Sequence, residues 1–244
     1  MKIIGIIPAR YGSSRFPGKP LVQIDGKSMI QRVYEQASES ARLDAVVVAT
    51  DDVRIADEVS AFGGRFHLTS AAHQSGTDRC AEVIRKVPGY DVVINIQGDE
   101  PYIDPAQIDL LISCFDASTV QLATLVKQIH TNEELLNTNI PKVVLNASGE
   151  AVYFSRQTIP FVRGKEKEQW LEEQIYYKHI GIYGYTASTL LEITKLEPSA
   201  LELAESLEQL RWVENGYTIQ TKTTTLETIA VDAPEDLLKI KSLS

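Results

Sequence analysis

Residues 8–20 read Pro-Ala-Arg-Tyr-Gly-Ser-Ser-Arg-Phe-Pro-Gly-Lys-Pro. Arg10, Arg15 and Lys19 stand here beside Gly12 and Gly18, and the first acidic residue of the chain is Asp25. A glycine-rich turn offers backbone N–H groups to phosphate, and arginine and lysine cancel its charge. The stretch therefore reads as a polyphosphate cradle. Two better-known phosphate loops do not fit. Gly12 is followed by five residues and then Gly18-Lys19-Pro20, so the Ser or Thr that a P-loop needs after its lysine is missing. The GxGxxG dinucleotide fingerprint is also absent after the first apolar run.

Carboxylates supply the second half of the chemistry. An apolar run, Asp91 to Gln97, ends in Gln97-Gly98-Asp99-Glu100-Pro101. Asp99 at such a strand tip suits Mg²⁺, which takes one or two carboxylates plus phosphate oxygens. Asp232, in Val231-Asp232-Ala233-Pro234, is a second candidate; taken alone it reads as a helix cap ahead of the proline. Asp51 follows another apolar run and is a further cleft candidate, whereas Asp52 and Asp104 read as caps.

The elements that must position these groups alternate. Lys2–Pro8, Ala45–Thr50 and Asp91–Gln97 are short apolar runs of the kind buried on both faces in a parallel sheet, and Arg65–Thr69 reads as a further short strand. Between them, Ser28–Ala41, Asp52–Phe62 and Thr77–Val87 carry helical periodicity, and another helix begins at Asp104-Pro105. The expected fold is α/β: an open, mostly parallel twisted sheet with helices on both faces and a smaller inserted substrate and dimerisation region. In such sheets ligands bind beyond the carboxyl ends of the strands, where the cradle and Asp99 both fall. In the second half, Val143–Asn146 and Ala151–Ser155 read as strands about a turn. Residues 164–174 read as an exposed loop or helix and His179–Tyr185 as a strand. One helix is expected over Leu201–Asn215 with Leu203, Leu207 and Leu210 on its buried side, then a strand over Tyr217–Thr224 and a helix from Pro234. The whole of 1–244 is expected to be one domain, with residues ~130–225 forming an inserted substrate-binding region within it.

Composition sets bounds. With 244 residues, 43% hydrophobic and 23% charged, the chain is ordinary for a globular protein. Lys plus Arg is 24 against 33 Asp plus Glu, a net charge of −9, which argues against nucleic-acid or anionic-membrane binding. Cys80 and Cys114 have no metal-ligand spacing and read as reduced thiols. The apolar run after Lys2 stops at Pro8, too short for a signal-peptide core or membrane span, so a cytoplasmic location is expected.

The stretches IIPARYGSSRFPGKPL, VVVATDD, HQSGTDRCAEV, VINIQGDEP, KVVL, YFSRQTIPF, KHIGIYGY, LEQLRW and VDAPEDL run in order from residue 4 to residue 238. Together they resemble the 3-deoxy-manno-octulosonate (Kdo) cytidylyltransferases. The resemblance implies a nucleotidyltransferase fold and a homodimer. It also implies transfer of CMP from CTP to the anomeric hydroxyl of Kdo with release of pyrophosphate, activating the sugar for lipopolysaccharide synthesis. By resemblance, Arg10, Ser13, Arg15 and Lys19 hold the CTP phosphates, and Thr50, Ser75, Gly76, Arg79 and Gln97 line the nucleoside pocket. Asp99 and Asp232 bind Mg²⁺, and Arg10, Lys19, Asp99 and Asp232 form the catalytic set. Arg156, His179, Tyr183, Glu208 and Gln209 lie on the sugar side. Arg156 suits a carboxylate, and the other four mix the donors and acceptors that hydroxyls need. Without the resemblance, His179 reads as a core histidine and Glu208 as a solvated helix face. The alternatives are a cytidylyltransferase for a modified Kdo or sialic acid, and a non-catalytic nucleotide-binding module.

Overall fold

A computed structural model describes residues 1–12, 16–227 and 229–237. In chain order the strands are β1 (Ile3–Ala9), β2 (Gln23–Ile24), β3 (Lys27–Ser28), β4 (Ala45–Thr50), β5 (Phe66–Leu68), β6 (Val92–Asn95), β7 (Leu122–Gln128), β8 (Lys142–Leu145), β9 (Ala151–Ser155), β10 (Tyr177–Thr186) and β11 (Gln220–Thr223). The α-helices are α1 (Met29–Ser38), α2 (Val53–Ala61), α3 (Gly76–Lys86), α4 (Pro105–Ile112), α5 (Asn132–Leu136), α6 (Trp170–Glu173), α7 (Ala187–Ile193), α8 (Ala200–Glu205) and α9 (Gln209–Glu214). The main sheet runs β11-β7-β10-β6-β1-β4-β5, with β8 and β9 as a side arm on β10. β1 pairs in parallel with β4 and β6, and β11 with β7, while β10 runs antiparallel to both β6 and β7.

The Ile- and Val-rich central strands are buried because helices cover both sheet faces. One core holds Ile3, Ile7, Val48, Ile94 and Ile96 with Ile30 and Val33 of α1 and Ile108 and Leu111 of α4. The other holds Ile4, Ile6, Val47 and Val93 with Cys80 and Val83 of α3, Leu190 of α7 and Leu210 and Trp212 of α9. Each such aliphatic side chain taken fully out of water contributes about 1.5–3 kcal/mol. Both cysteines are free and buried.

The expected open, mostly parallel sheet with helices on both faces is what forms, and three local readings change. Residues 122–128 form a strand that periodicity did not single out. The helix expected over Leu201–Asn215 is two helices. Ser199 starts α8 with a reciprocal capping box, and Ser206 ends it in a left-handed conformation at φ 52°. A single helical phase therefore does not span the segment: Leu207 and Leu210 are buried, but Leu203 is exposed. In the charged 164–174 stretch, Trp170 is buried with Ile129, Leu135 and Tyr176. Past Pro234 only residues up to 237 are described, and most of the expected last helix lies outside them.

One corner of the fold positions everything that follows. At the carboxyl end of β1, a Cβ on Gly76 would stand 3.2 Å from Pro8 Cγ, and a Cβ on Gly98 would stand 2.7 Å from the Pro8 carbonyl oxygen. Two glycines thus let the start of α3 and the turn after β6 close onto the same proline. Behind that turn Glu100 is buried, and its Oε2 meets no hydrogen-bond donor among the described residues. Burial, helped by the charge of Asp99, pushes its carboxyl up to about 8.

Gly98→Ala should cost about 1–3 kcal/mol in urea unfolding, because the clash is with rigid backbone. An unchanged midpoint would show that the corner can relax. The shift at Glu100 has a definite sign. Between its ordinary value of 4.5 and about 8 the folded state keeps a proton that the unfolded state releases, so stability falls as pH rises through that window. Relative to wild type, Glu100→Gln should grow more stable between pH 5 and pH 8. A constant difference would contradict the shift.

Candidate active site

The turns gathered at Pro8 enclose a cleft of about 270 Å³, lined by Arg10, Lys19, His73, Gln74, Ser75, Gly76, Gln97, Gly98, Asp99 and Asp232 among others. Each side chain is delivered by a local rule. Gly18 takes φ 73°, and its N–H donates to the Tyr11 carbonyl at 2.9 Å, closing the base of the N-terminal loop. Arg54 stacks on the Tyr11 ring, 3.3 Å from its centroid, and is held by Asp52, which caps α2 as expected. The loop is thereby fixed where Lys19 turns inward.

Lys19 Nζ donates to Asp99 Oδ2 at 2.6 Å and to the Val231 carbonyl at 2.9 Å, and lies 3.9 Å from Asp232 Oδ1. The Val231 N–H in turn donates to the Asp99 carbonyl at 2.9 Å. The N-terminal loop, the turn after β6 and the 231–232 segment therefore meet at one ammonium. Asp232 is not a simple cap: its N–H and that of Ala233 donate to Asp236 Oδ2, while its own carboxylate faces Lys19. The opposite wall is the N-terminus of α3, where the Ser75 hydroxyl accepts from the Asp78 N–H and the Asp78 carboxylate accepts from the Ser75 N–H. The positive end of the helix dipole lies at the cleft, which Ser75 and Gly76 line.

Of the residues expected around a nucleotide, Arg10, Lys19, Ser75, Gly76, Gln97, Asp99 and Asp232 line this cleft. Ser13 and Arg15 lie outside the described residues. Thr50 and Arg79 are buried behind the cleft wall. The Thr50 hydroxyl accepts from the Asp52 N–H at 3.2 Å. Arg79 donates to Thr69 and to Asp51, both at 2.8 Å, so Asp51 serves as the partner of a buried arginine rather than as a cleft group. The sequence reading passed over Gln74, and it gave His73 no role. His73 Nε2 lies 2.5 Å from Glu82.

The residues expected on the sugar side do not line that cleft. Four of them form a neighbouring group on the far side of the start of α3. Thr77 of α3 donates to Glu208 Oε2 at 2.8 Å, which joins the two. The His179 and Tyr183 ring centroids are 5.1 Å apart, and His179 Nε2 lies 3.0 Å from the Thr124 hydroxyl. Burial lowers the His179 pKa and raises those of Tyr183 and Glu208; the Thr77 bond offsets part of the Glu208 shift. Arg156 stands at the edge of this group and spends its donors on the carbonyls of Thr138, Glu205 and Ser206, across the break between α8 and α9. Thr77 and Thr124 had no signal in isolation. Thr77 was legible only as the neighbour of Ser75-Gly76.

Asp99 and Asp232 fit a hard divalent ion. The donors are two carboxylates, and the Lys19 ammonium already occupies the cationic position between them. Among the described residues no cluster of three or more His, Cys, Asp or Glu forms a complete protein cage. Mg²⁺ needs no such cage when substrate phosphates complete its shell.

A sequence model of the Cytidylyltransferase family matches residues 4–224. The chain is 57% identical over 244 residues to the 3-deoxy-manno-octulosonate cytidylyltransferase of Parabacteroides distasonis, covering 98% of this chain and 96% of that one. It is 54% identical to the enzyme of the same name from Cytophaga hutchinsonii, covering 100% and 98%. A solved CMP:2-keto-3-deoxy-manno-octonic acid synthetase complexed with CTP superposes with a TM-score of 0.93 at 44% identity, over 100% of this chain and 98% of that one. Matched by that family model and 54–57% identical to these relatives over nearly its full length, the chain belongs to the 3-deoxy-manno-octulosonate cytidylyltransferase family.

Proposed function

We propose that this protein transfers CMP from CTP to the anomeric hydroxyl of Kdo, releasing pyrophosphate and activating the sugar for lipopolysaccharide synthesis. The observation that carries the assignment is the convergence of Lys19, Asp99 and Asp232 in one cleft, beside a group rich in hydroxyl-recognising side chains. The triphosphate lies along Arg10, Lys19 and the N-terminus of α3, where positive charge and free N–H groups gather. The anomeric oxygen forms a bond to the α-phosphorus, the bond from that phosphorus to the bridging oxygen of pyrophosphate breaks, and the hydroxyl proton leaves to solvent. Mg²⁺ held by Asp99 and Asp232 would neutralise phosphate charge and favour the ionised acceptor hydroxyl. Lys19, released from Asp99 as the nucleotide enters, balances charge on the phosphates. Positioning and electrostatics of this kind supply most of the acceleration in phosphoryl-type transfer.

His179, Tyr183, Glu208 and Gln209 orient the sugar hydroxyls, and Arg156 faces its carboxylate. A homodimer is supported by the exposed Val152, Phe161 and Ile175 within the 130–225 region. A cytoplasmic location is supported by the supply of CTP there, and no described helix is long and apolar enough to cross a membrane.

Pyrophosphate release with CTP, Mg²⁺ and Kdo is the direct test, and its absence would overturn the assignment. Asp99→Asn should fold normally and lose about 100-fold or more in kcat; near wild-type turnover at saturating Mg²⁺ would remove its metal role. Arg156→Ala should raise the KM for Kdo far more than that for CTP. Equal effects on both would assign Arg156 to holding the α8–α9 break alone.

A further inference from the structure

Beneath the sugar-side group, four buried side-chain atoms lack a hydrogen-bond partner: Asn95 Oδ1, Tyr183 Oη, Tyr185 Oη and Gln209 Nε2. They make up four of the seven such atoms among the described residues: Asn95, Tyr183 and Tyr185 share one face of the sheet, and Gln209 is on the helix that packs there. Asn95 on β6 and Tyr183 on β10 are direct cross-strand partners. Tyr185, two residues on, presents its ring to the same side, with centroids 6.1 Å apart. Gln209 opens α9, and Trp212 of that helix packs edge-on against both tyrosines at 5.1 and 5.8 Å. Glu208 is near enough to both phenols for its charge to oppose their ionisation.

Buried polar atoms are nearly always paired, so four orphans in one place call for an occupant. Their chemistry is complementary. Two phenols can each donate and accept, one amide oxygen accepts, and one amide N–H₂ donates. A single water making about three bonds satisfies such a set. Without it, the start of α9 is tied through Glu208 to Thr77 and Ser75 at the start of α3. Neither Asn95 nor Tyr185 lines the nucleotide cleft, and the sequence reading gave neither a role.

We propose that Asn95 and Tyr185 are positioning residues: through one enclosed water shared with Tyr183 and Gln209, they fix the first turn of α9 and so aim Glu208 at the acceptor sugar. The water accepts from Gln209 and from one phenol and donates to Asn95 Oδ1 and to the other phenol. This role rests on the assignment of Glu208 and Gln209 to the sugar side.

Tyr185→Phe keeps the ring against Trp212 and removes only the hydroxyl. The KM for Kdo should rise about 5–10-fold, the worth of one hydrogen bond, with the KM for CTP unchanged. The melting temperature should stay within about 2 °C of wild type. A crystal structure of the wild-type protein that resolves solvent should show a water bonded to Asn95 and Gln209, and the variant should lose or displace it. A dry hub in the wild type would overturn the proposal. So would equal changes in both KM values, or a more stable variant with unaltered kinetics, which would mark the hydroxyl as an uncompensated buried group. The wild-type solvent structure needs no turnover. An enzyme inactive towards Kdo would therefore sink the assigned function while leaving the water itself to be judged.

Discussion

One ammonium group holds the nucleotide side of this molecule together. Lys19 reaches from the N-terminal loop to a carboxylate after β6 and to a main-chain carbonyl near the C-terminal end of the described chain. Opposite charges brought this close in a half-buried cleft attract far more strongly than on open surface. The same contact keeps two carboxylates near each other that would otherwise repel. The two carboxylates are therefore held together and partly charge-balanced by the chain's own lysine. That arrangement depends on Gly76 and Gly98, which let two turns crowd onto Pro8.

The gathering of the cleft residues was legible in the sequence and that of the neighbouring buried group was not, for a physical reason. Phosphate and metal chemistry is carried by short contiguous strings. Charge and glycine cluster in residues 8–20, and Asp99 follows an unmistakable buried run, so local pattern alone located them. Asp232 was half legible, because a carboxylate before proline also suits a cap; only the fold shows that Asp236 accepts the local N–H groups instead. The sugar-side residues come from β10, α9 and the arm, and they meet through cross-strand pairing that no local window contains. Arg79 and Thr50 show the converse. Their types suit a pocket, yet both are spent on internal hydrogen bonds.

The fold-level reading succeeded where hydrophobic runs were long and bounded, as in β1, β4 and β6. It failed where one periodicity concealed two elements. Over 201–215 the apolar spacing is helical throughout, but Ser206 adopts a left-handed conformation with no glycine to announce it. That break turns α9 so that Glu208 and Gln209 face inward, and Arg156 binds the carbonyls on either side of it. The least predictable kink in the chain thus lies next to residues whose direction matters most.

The lone reversed strand of the main sheet has a consequence for how such a catalyst diversifies. The Lys19 cleft is assembled from turns at strand tips, whereas the His179–Glu208 group hangs on the interior of β10 and the helix over it. Mutational drift in one set need not disturb the other, since they share little beyond the first turn of α3. The scaffold is in this sense a two-cassette device, in which one strand and one short helix can be rewritten while the turns that build the cleft are inherited intact.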